Sequence, residues 1–155
     1  GLGGYAGHSH KYKQKGGSGY LFRIATVQDF SAVTGACLLV KASVYDEVGG
    51  LDEQFAVAFN DVDFCLRVRD AGCRIAWLTH YESKSRGGDE KDPAKAARFA
   101  AEQQRLYTIH GKENILDDPY YNPNLTRDRE DFSESDDLRG LKAGKVTVRF
   151  RGGEA

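Results

Sequence analysis

Two carboxylates one residue apart open the run AFNDVDFCLRVRDAG, residues 58–72. Asp61 and Asp63 stand where a helix should begin, so their negative charge opposes the positive end of the helix dipole. Asp63 also precedes Arg67 by four positions, the spacing at which two helical side chains pair. Chemistry asks for something more. A general base is a carboxylate at the rim of a cleft, within reach of a hydroxyl. The residue pattern alone leaves Asp61 open to both readings.

Other residues of the right types fall into two loops. In THYESKSRGGDEK, residues 79–91, Lys84, Ser85 and Arg86 set two cations among hydroxyls before Gly87 and Gly88. Such a set suits a diphosphate or a charged acceptor, and equally an ordinary solvated loop. His80 opens that loop and is either a surface residue or a metal ligand. Near the start, His8 and His10 lie among Lys11, Lys13 and Lys15. They read as a basic loop over an active site; with His80 they would make a metal hydrolase, a third reading. Gly1-x-Gly3-x-x-Ala6 matches a dinucleotide fingerprint superficially, but no helix follows it.

The elements that must hold these residues follow from periodicity and breakers. SAVTGACLLVK, 31–41, is short, apolar and β-branched and predicts a buried strand. A short helix over 42–48 should be stopped by Gly49 and Gly50. LDEQFAVAF connects to Asn60, an N-cap for a helix ended by Gly72. CRIAWL, 73–78, predicts a second strand. Asp92, Pro93 and Gly111 bracket the clearest helix of the chain. DDPYYNPNLTRDREDFSESDD, 117–137, should be irregular, and the alternation in KVTVRF, 145–150, suggests an edge strand.

With 155 residues, one domain with its own core is expected. A net charge of −1 argues against a general nucleic-acid binder. The three cysteines, Cys37, Cys65 and Cys73, have apolar neighbours and no C-x-x-C pairing, so they read as small buried thiols of a reducing compartment. No apolar run approaches the ~18 residues of a membrane span. The opening GLGGYAGHSH reads as the middle of something longer.

Several short motifs occur in a familiar order: Thr34-Gly35-Ala36-Cys37, Val48-Gly49-Gly50-Leu51-Asp52-Glu53, Asn60-Asp61-Val62-Asp63, then Leu66-Arg67 with Ala71-Gly72. Together they resemble the C-terminal half of the catalytic domain of family 2 glycosyltransferases, inverting enzymes of the GT-A fold. His80-Tyr81-Glu82-Ser83-Lys84-Ser85-Arg86-Gly87 is similar to that family's H-x-E-S-x-S-R-G loop. DPYYNPNLT, 118–126, and EDFS, 130–133, are similar to the closing segment of a bacterial branch. The resemblance covers residues 1–133 and leaves 134–155 as a tail.

The resemblance implies an α/β fold, a partial GT-A architecture with a mixed sheet and flanking helices. It lacks the N-terminal nucleotide-binding half, whose D-x-D motif has no counterpart before residue 31. It implies Asp61 as catalytic base and Asp63 as its ion-paired neighbour. Gly35, Ala36, Asp63, Lys84, Ser85 and Arg86 would form the substrate-binding set. His80 would be a ligand of a divalent metal, Mn or Mg, that neutralises the leaving diphosphate in the complete enzyme. Two departures touch His80: the interval from Trp77 is shorter than usual, and Tyr81 stands where this branch often has a second His. The implied partners are a nucleotide-sugar donor and a glycan acceptor, at a cytoplasmic site by the inner face of the membrane. The alternative is a non-catalytic glycan-binding or assembly module of the same fold. An exposed sheet edge would favour a homodimer.

Overall fold

A computed structural model describes residues 18–56, 58–78, 93–128 and 132–135. His8, His10, His80, Lys84, Ser85, Arg86 and the strand expected at 145–150 therefore lie outside the described residues. The described elements are β1 (Gln28–Asp29), α1 (Ala42–Glu47), α2 (Asn60–Asp70), β2 (Ala76–Trp77), α3 (Pro93–His110) and α4 (Lys112–Leu116), with single 3-10 turns at Tyr20–Phe22 and Gly35–Cys37. Helices dominate, and one small sheet joins them in an α/β arrangement.

α2 is buried on most of its circumference: Val62, Asp63, Phe64, Cys65, Leu66 and Val68 are all inside. It forms the centre of a core completed by Phe55, Phe59, Ile75, Leu106 and Ile115. α3 lies against it through Leu106, which is 1 % exposed. Gly49 and Gly50 end α1's turn with φ of 78° and 71°, a left-handed backbone that glycine adopts without strain. Arg67 reaches from α2 to the Val48 carbonyl at 2.5 Å and fastens that turn to the core.

The sheet departs from expectation. β1 pairs antiparallel with β2, Gln28 opposite Trp77 and Asp29 opposite Ala76. An Arg74–Asp29 ion pair at 2.9 Å and the Phe30–Trp77 edge contact flank it. The expected strand over 31–41 does not form among the described residues. Its centre turns instead as the 3-10 helix Gly35–Cys37, with Thr34 Oγ1 accepting from the Ala36 N–H. Leu38 beyond it is extended, at φ −123° and ψ 123°, while Leu39 is 96 % exposed. An apolar run acquires strand structure only from a neighbour that completes its hydrogen bonds, and none is present there among the described residues. The same turn brings Cys37 to the surface, whereas Cys65 is buried and Cys73 half-buried; all three are free thiols.

The 118–126 segment is irregular, as its composition predicts, yet firmly placed. Asp118 accepts from the buried Ser31 hydroxyl and from the Tyr120 N–H. Arg23 donates to the Tyr120 carbonyl, and Tyr20 stacks on Phe132 at 5.4 Å. The segment is thus tied to residues on either side of β1, Arg23 and Ser31.

Leu106→Ala should lower unfolding stability by about 2–5 kcal/mol, the cost of a cavity beneath a fully buried leucine. Denaturant unfolding checks this. A loss under about 1 kcal/mol would mean that α3 does not pack on α2 as described.

Candidate active site around Asp61

α2 starts in an unusual way. Asn60 is its first residue and not its cap; the preceding Phe59 takes the cap position in the left-handed region, at φ 63°. A bulky side chain rarely adopts that backbone. Phe59 is held there by its ring, which packs 4.8 Å from Phe99 of α3, and by its carbonyl, which accepts the Asp63 N–H at 2.8 Å. Side chains of the first turn satisfy the free donors: Asn60 Oδ1 accepts the Asp61 N–H, and Asp61 Oδ1 accepts the Val62 N–H, each at 2.8 Å.

Asp61 and Asp63 then diverge. Two residues on a helix are separated by about 200°, so one carboxylate faces the Gly35 turn and the other faces α3. Asp61 is half-buried, and its Oδ2 accepts the Gly35 N–H at 2.8 Å. A Cβ on Gly35 would lie 3.2 Å from the Asp61 Cβ, so the turn fits closely against this aspartate. Asp61 thus meets backbone donors from two parts of the chain.

Asp63 is 1 % exposed. Its Oδ2 accepts from Arg67 Nε at 2.9 Å and Nη2 at 2.7 Å, and its Oδ1 lies 2.8 Å from His110 Nε2. Opposite an acceptor-only carboxylate, that ring nitrogen carries the proton. Burial by itself would raise the Asp63 pKa. The hydrogen bonds from His110 and Arg67, with their charge, outweigh burial and hold the carboxyl below the ordinary aspartate range. The i,i+4 pair expected with Arg67 is present. As a member of the substrate-binding set Asp63 is inaccessible, because the helix phase turns it into the core.

The structure therefore brings Gly35 and Asp61 together, leaves Ala36 exposed on the same turn and sends Asp63 inward. Two residues without a sequence signal join the site's support. His110 closes α3, where a cation would suit the helix dipole, but nothing in the sequence ties it to Asp63. Glu102 reads as a solvated position beside two glutamines. In the fold it is 7 % exposed, and its carboxylate accepts the Ala56 N–H at 3.1 Å and the Ala58 N–H at 2.6 Å. Arg105 of α3 pairs with Asp52 at 2.9 Å, fastening the other end of the same loop.

Among the described residues no three His, Cys, Asp or Glu side chains converge as a metal site would require. His80, the expected metal ligand, lies outside the described residues. No helix among the described residues is long and apolar enough to cross a membrane.

Comparisons with known proteins give relatives but no family model and no solved structure. The chain is 46 % identical over 138 residues to the uncharacterized protein y4gI of Sinorhizobium fredii, covering 85 % of this chain and 15 % of that one. It is 33 % identical over 133 residues to the O-antigen biosynthesis protein RfbC of Myxococcus xanthus, covering 81 % of this chain and 10 % of that one. Over 80 residues, 48 % of this chain and 24 % of the other, it is 33 % identical to the N-acetylglucosaminyl-diphospho-decaprenol L-rhamnosyltransferase of Mycobacterium tuberculosis. The chain thus spans between 10 % and 24 % of the length of these curated relatives.

Asp63→Asn strips Arg67 and His110 of their counter-charge and should cost about 3–5 kcal/mol of stability. Because folding lowers the Asp63 pKa, its contribution is present above the unfolded value near ~4 and is lost as pH falls through the lower folded value. Urea unfolding of both proteins against pH checks this: the wild-type advantage should shrink on acidification below about pH 4. An advantage that persists undiminished in acid would contradict the assignment.

Proposed function

We propose that the chain is the acceptor-side part of an inverting glycosyltransferase of the GT-A fold, acting in bacterial surface-polysaccharide synthesis. It would move a sugar from a nucleotide-sugar donor to an acceptor hydroxyl, with Asp61 as general base. The observation that carries this reading is the contrast between two carboxylates on one helical turn. Arg67 and His110 take both oxygens of Asp63. Asp61 sits at the surface, and each of its oxygens accepts a backbone N–H. An ionised carboxylate has about four lone-pair positions, so lone pairs remain on Asp61 for a hydroxyl proton.

The relatives named for O-antigen biosynthesis and for rhamnosyl transfer support glycosyl transfer as the reaction class. In the proposed step, an Asp61 oxygen takes the proton of the acceptor hydroxyl while that hydroxyl's oxygen bonds to the anomeric carbon. The nucleoside diphosphate leaves from the opposite face with the electron pair of the broken C–O bond, and the configuration inverts. Gly35 and Ala36 would border the acceptor. Lys84, Ser85 and Arg86 would hold the diphosphate or a charged acceptor group. A divalent metal with His80 among its ligands would supply charge neutralisation at the diphosphate in the complete enzyme.

One observation favours a second reading, a non-catalytic binding or assembly module. Leu38 is extended beside the exposed Leu39, with no strand partner among the described residues, so this stretch could pair with another chain. Calorimetry with uridine diphosphate, with and without manganese, separates the two. Metal-dependent binding supports the enzyme site, and self-association without nucleotide binding supports the module.

In a polypeptide carrying residues 1–155 together with a nucleotide-binding segment, Asp61→Asn should lower kcat by about 10²–10⁴ with little change in donor KM. The asparagine oxygen can still accept one of the two amides that Asp61 holds, from Gly35 or Val62, while the base is lost. A decrease under about threefold would remove Asp61 from the mechanism. Residues 1–155 by themselves should turn over nucleotide sugars only at background. Robust turnover that Asp61→Asn abolishes would show that the donor site lies within this chain.

A further inference from the structure

We propose that Glu102 is the positioning residue for Asp61: by gripping the amides of Ala56 and Ala58 it fixes the left-handed turn at Phe59, and so sets where the Asp61 carboxylate lies. The inference rests on Asp61 being the base, and the geometry behind it is independent of any turnover.

A carboxylate buried to 7 % exposure is expensive unless its charge meets good donors. Among the described residues Glu102 meets such donors on alternate residues of one loop: Oε1 accepts the Ala56 N–H and Oε2 the Ala58 N–H. One rigid, planar group bonded at both oxygens fixes the direction of the chain as well as its distance from α3. The next residue is Phe59 at φ 63°, a strained backbone for a bulky side chain. Such strain persists only where the surroundings enforce it. Here Glu102 holds the amides before the strained residue, Phe99 packs on its ring, and the first turn of α2 takes its carbonyl. Asp61 follows two residues later.

At the other side the tolerance is small. Asp61 Oδ2 lies 2.8 Å from the Gly35 nitrogen, in a space where even a methyl at residue 35 would crowd its Cβ. If Phe59 relaxed toward negative φ, the first turn of α2 would swing and that hydrogen bond would break, since hydrogen bonds weaken steeply off their geometry. α3 therefore acts on Asp61 through a strained turn.

The Gly35 amide is the reporter. In nitrogen-15 spectra of the whole chain, part of its pH-dependent shift should disappear in Asp61→Asn; that part belongs to the Asp61 carboxyl. Glu102→Gln keeps shape but turns an NH₂ group toward one loop amide, which leaves that amide unpaired. We expect faster hydrogen exchange at Ala56 and Ala58, together with loss of the Asp61-dependent shift at Gly35. Ile115→Val on α4, a mild core change, should leave that shift in place. Should Glu102→Gln fail to fold, Glu102→Asp keeps the charge and withdraws it by one methylene, and the same loss is expected. A Gly35 response of wild-type size in either Glu102 variant overturns the proposal, whatever happens to exchange in the loop. So does a wild-type Gly35 shift that Asp61→Asn does not alter. Failure of Asp61 as base would appear only in turnover, so the two ideas fail separately.

Discussion

The buried carboxylate of Asp63 is the constraint on which the rest of this structure depends. It receives Arg67 from its own helix and His110 from the end of α3, 47 residues away. Arg67 in turn reaches the carbonyl of Val48 at the end of α1's turn. Three elements with no local reason to meet are thereby tied at one point. The apolar core around Leu106, Phe64 and Ile115 supplies attraction, but burial of apolar area is non-directional. Hydrogen bonds near 2.8 Å are directional, so this cluster selects one register of α2 against α3 from the several that would bury similar area.

Once Asp63 is fixed inward, helix geometry places Asp61. The carboxylate two positions earlier must emerge on another side of α2, beside the Thr34–Cys37 turn, and it does. The same α3 that holds Asp63 also holds the approach to α2, through Glu102 on the Ala56 and Ala58 amides, Arg105 on Asp52 and Phe99 on Phe59. Phe99, Glu102, Leu106 and His110 recur at intervals of three and four, the spacing of one helical face. A single stripe of α3 therefore carries an aromatic contact, a carboxylate clamp, a core leucine and the Asp63 partner. The strain at Phe59 is tolerable because this stripe opposes its relaxation.

Sequence reasoning was good where the signal is local. α2 and α3 were legible from periodicity, and α3 from Pro93 and Gly111 as well; the Asp63–Arg67 pair followed from spacing. It missed where the deciding partner is distant. Asn60 has the ideal chemistry for an N-cap, yet the tertiary contacts of Phe59 take that place and push Asn60 into the helix. The run at 31–41 has strand composition, but composition cannot provide the neighbour that a strand needs, and the residues turn. Glu102 and His110 look ordinary because their meaning lies in loops and helices more than 40 residues away. Buried polar partners of this kind carry no periodic pattern, so only packing reveals them.

The contrast between the two aspartates also explains how one helix start can hold a buried and a surface carboxylate together. A carboxylate neutralised by two cationic or proton-bearing partners is a poor proton acceptor, and one with no partners would wander among rotamers. Asp63 takes the first condition and pays the structural debt for both. Asp61 is steered by amides, which fix direction without supplying a full counter-charge. Its burial is partial, so no paired cation is needed to offset desolvation. A surface carboxylate can thus be held in a defined pose because the neighbour two positions on supplies the anchoring, and the helix repeat keeps the two on separate faces.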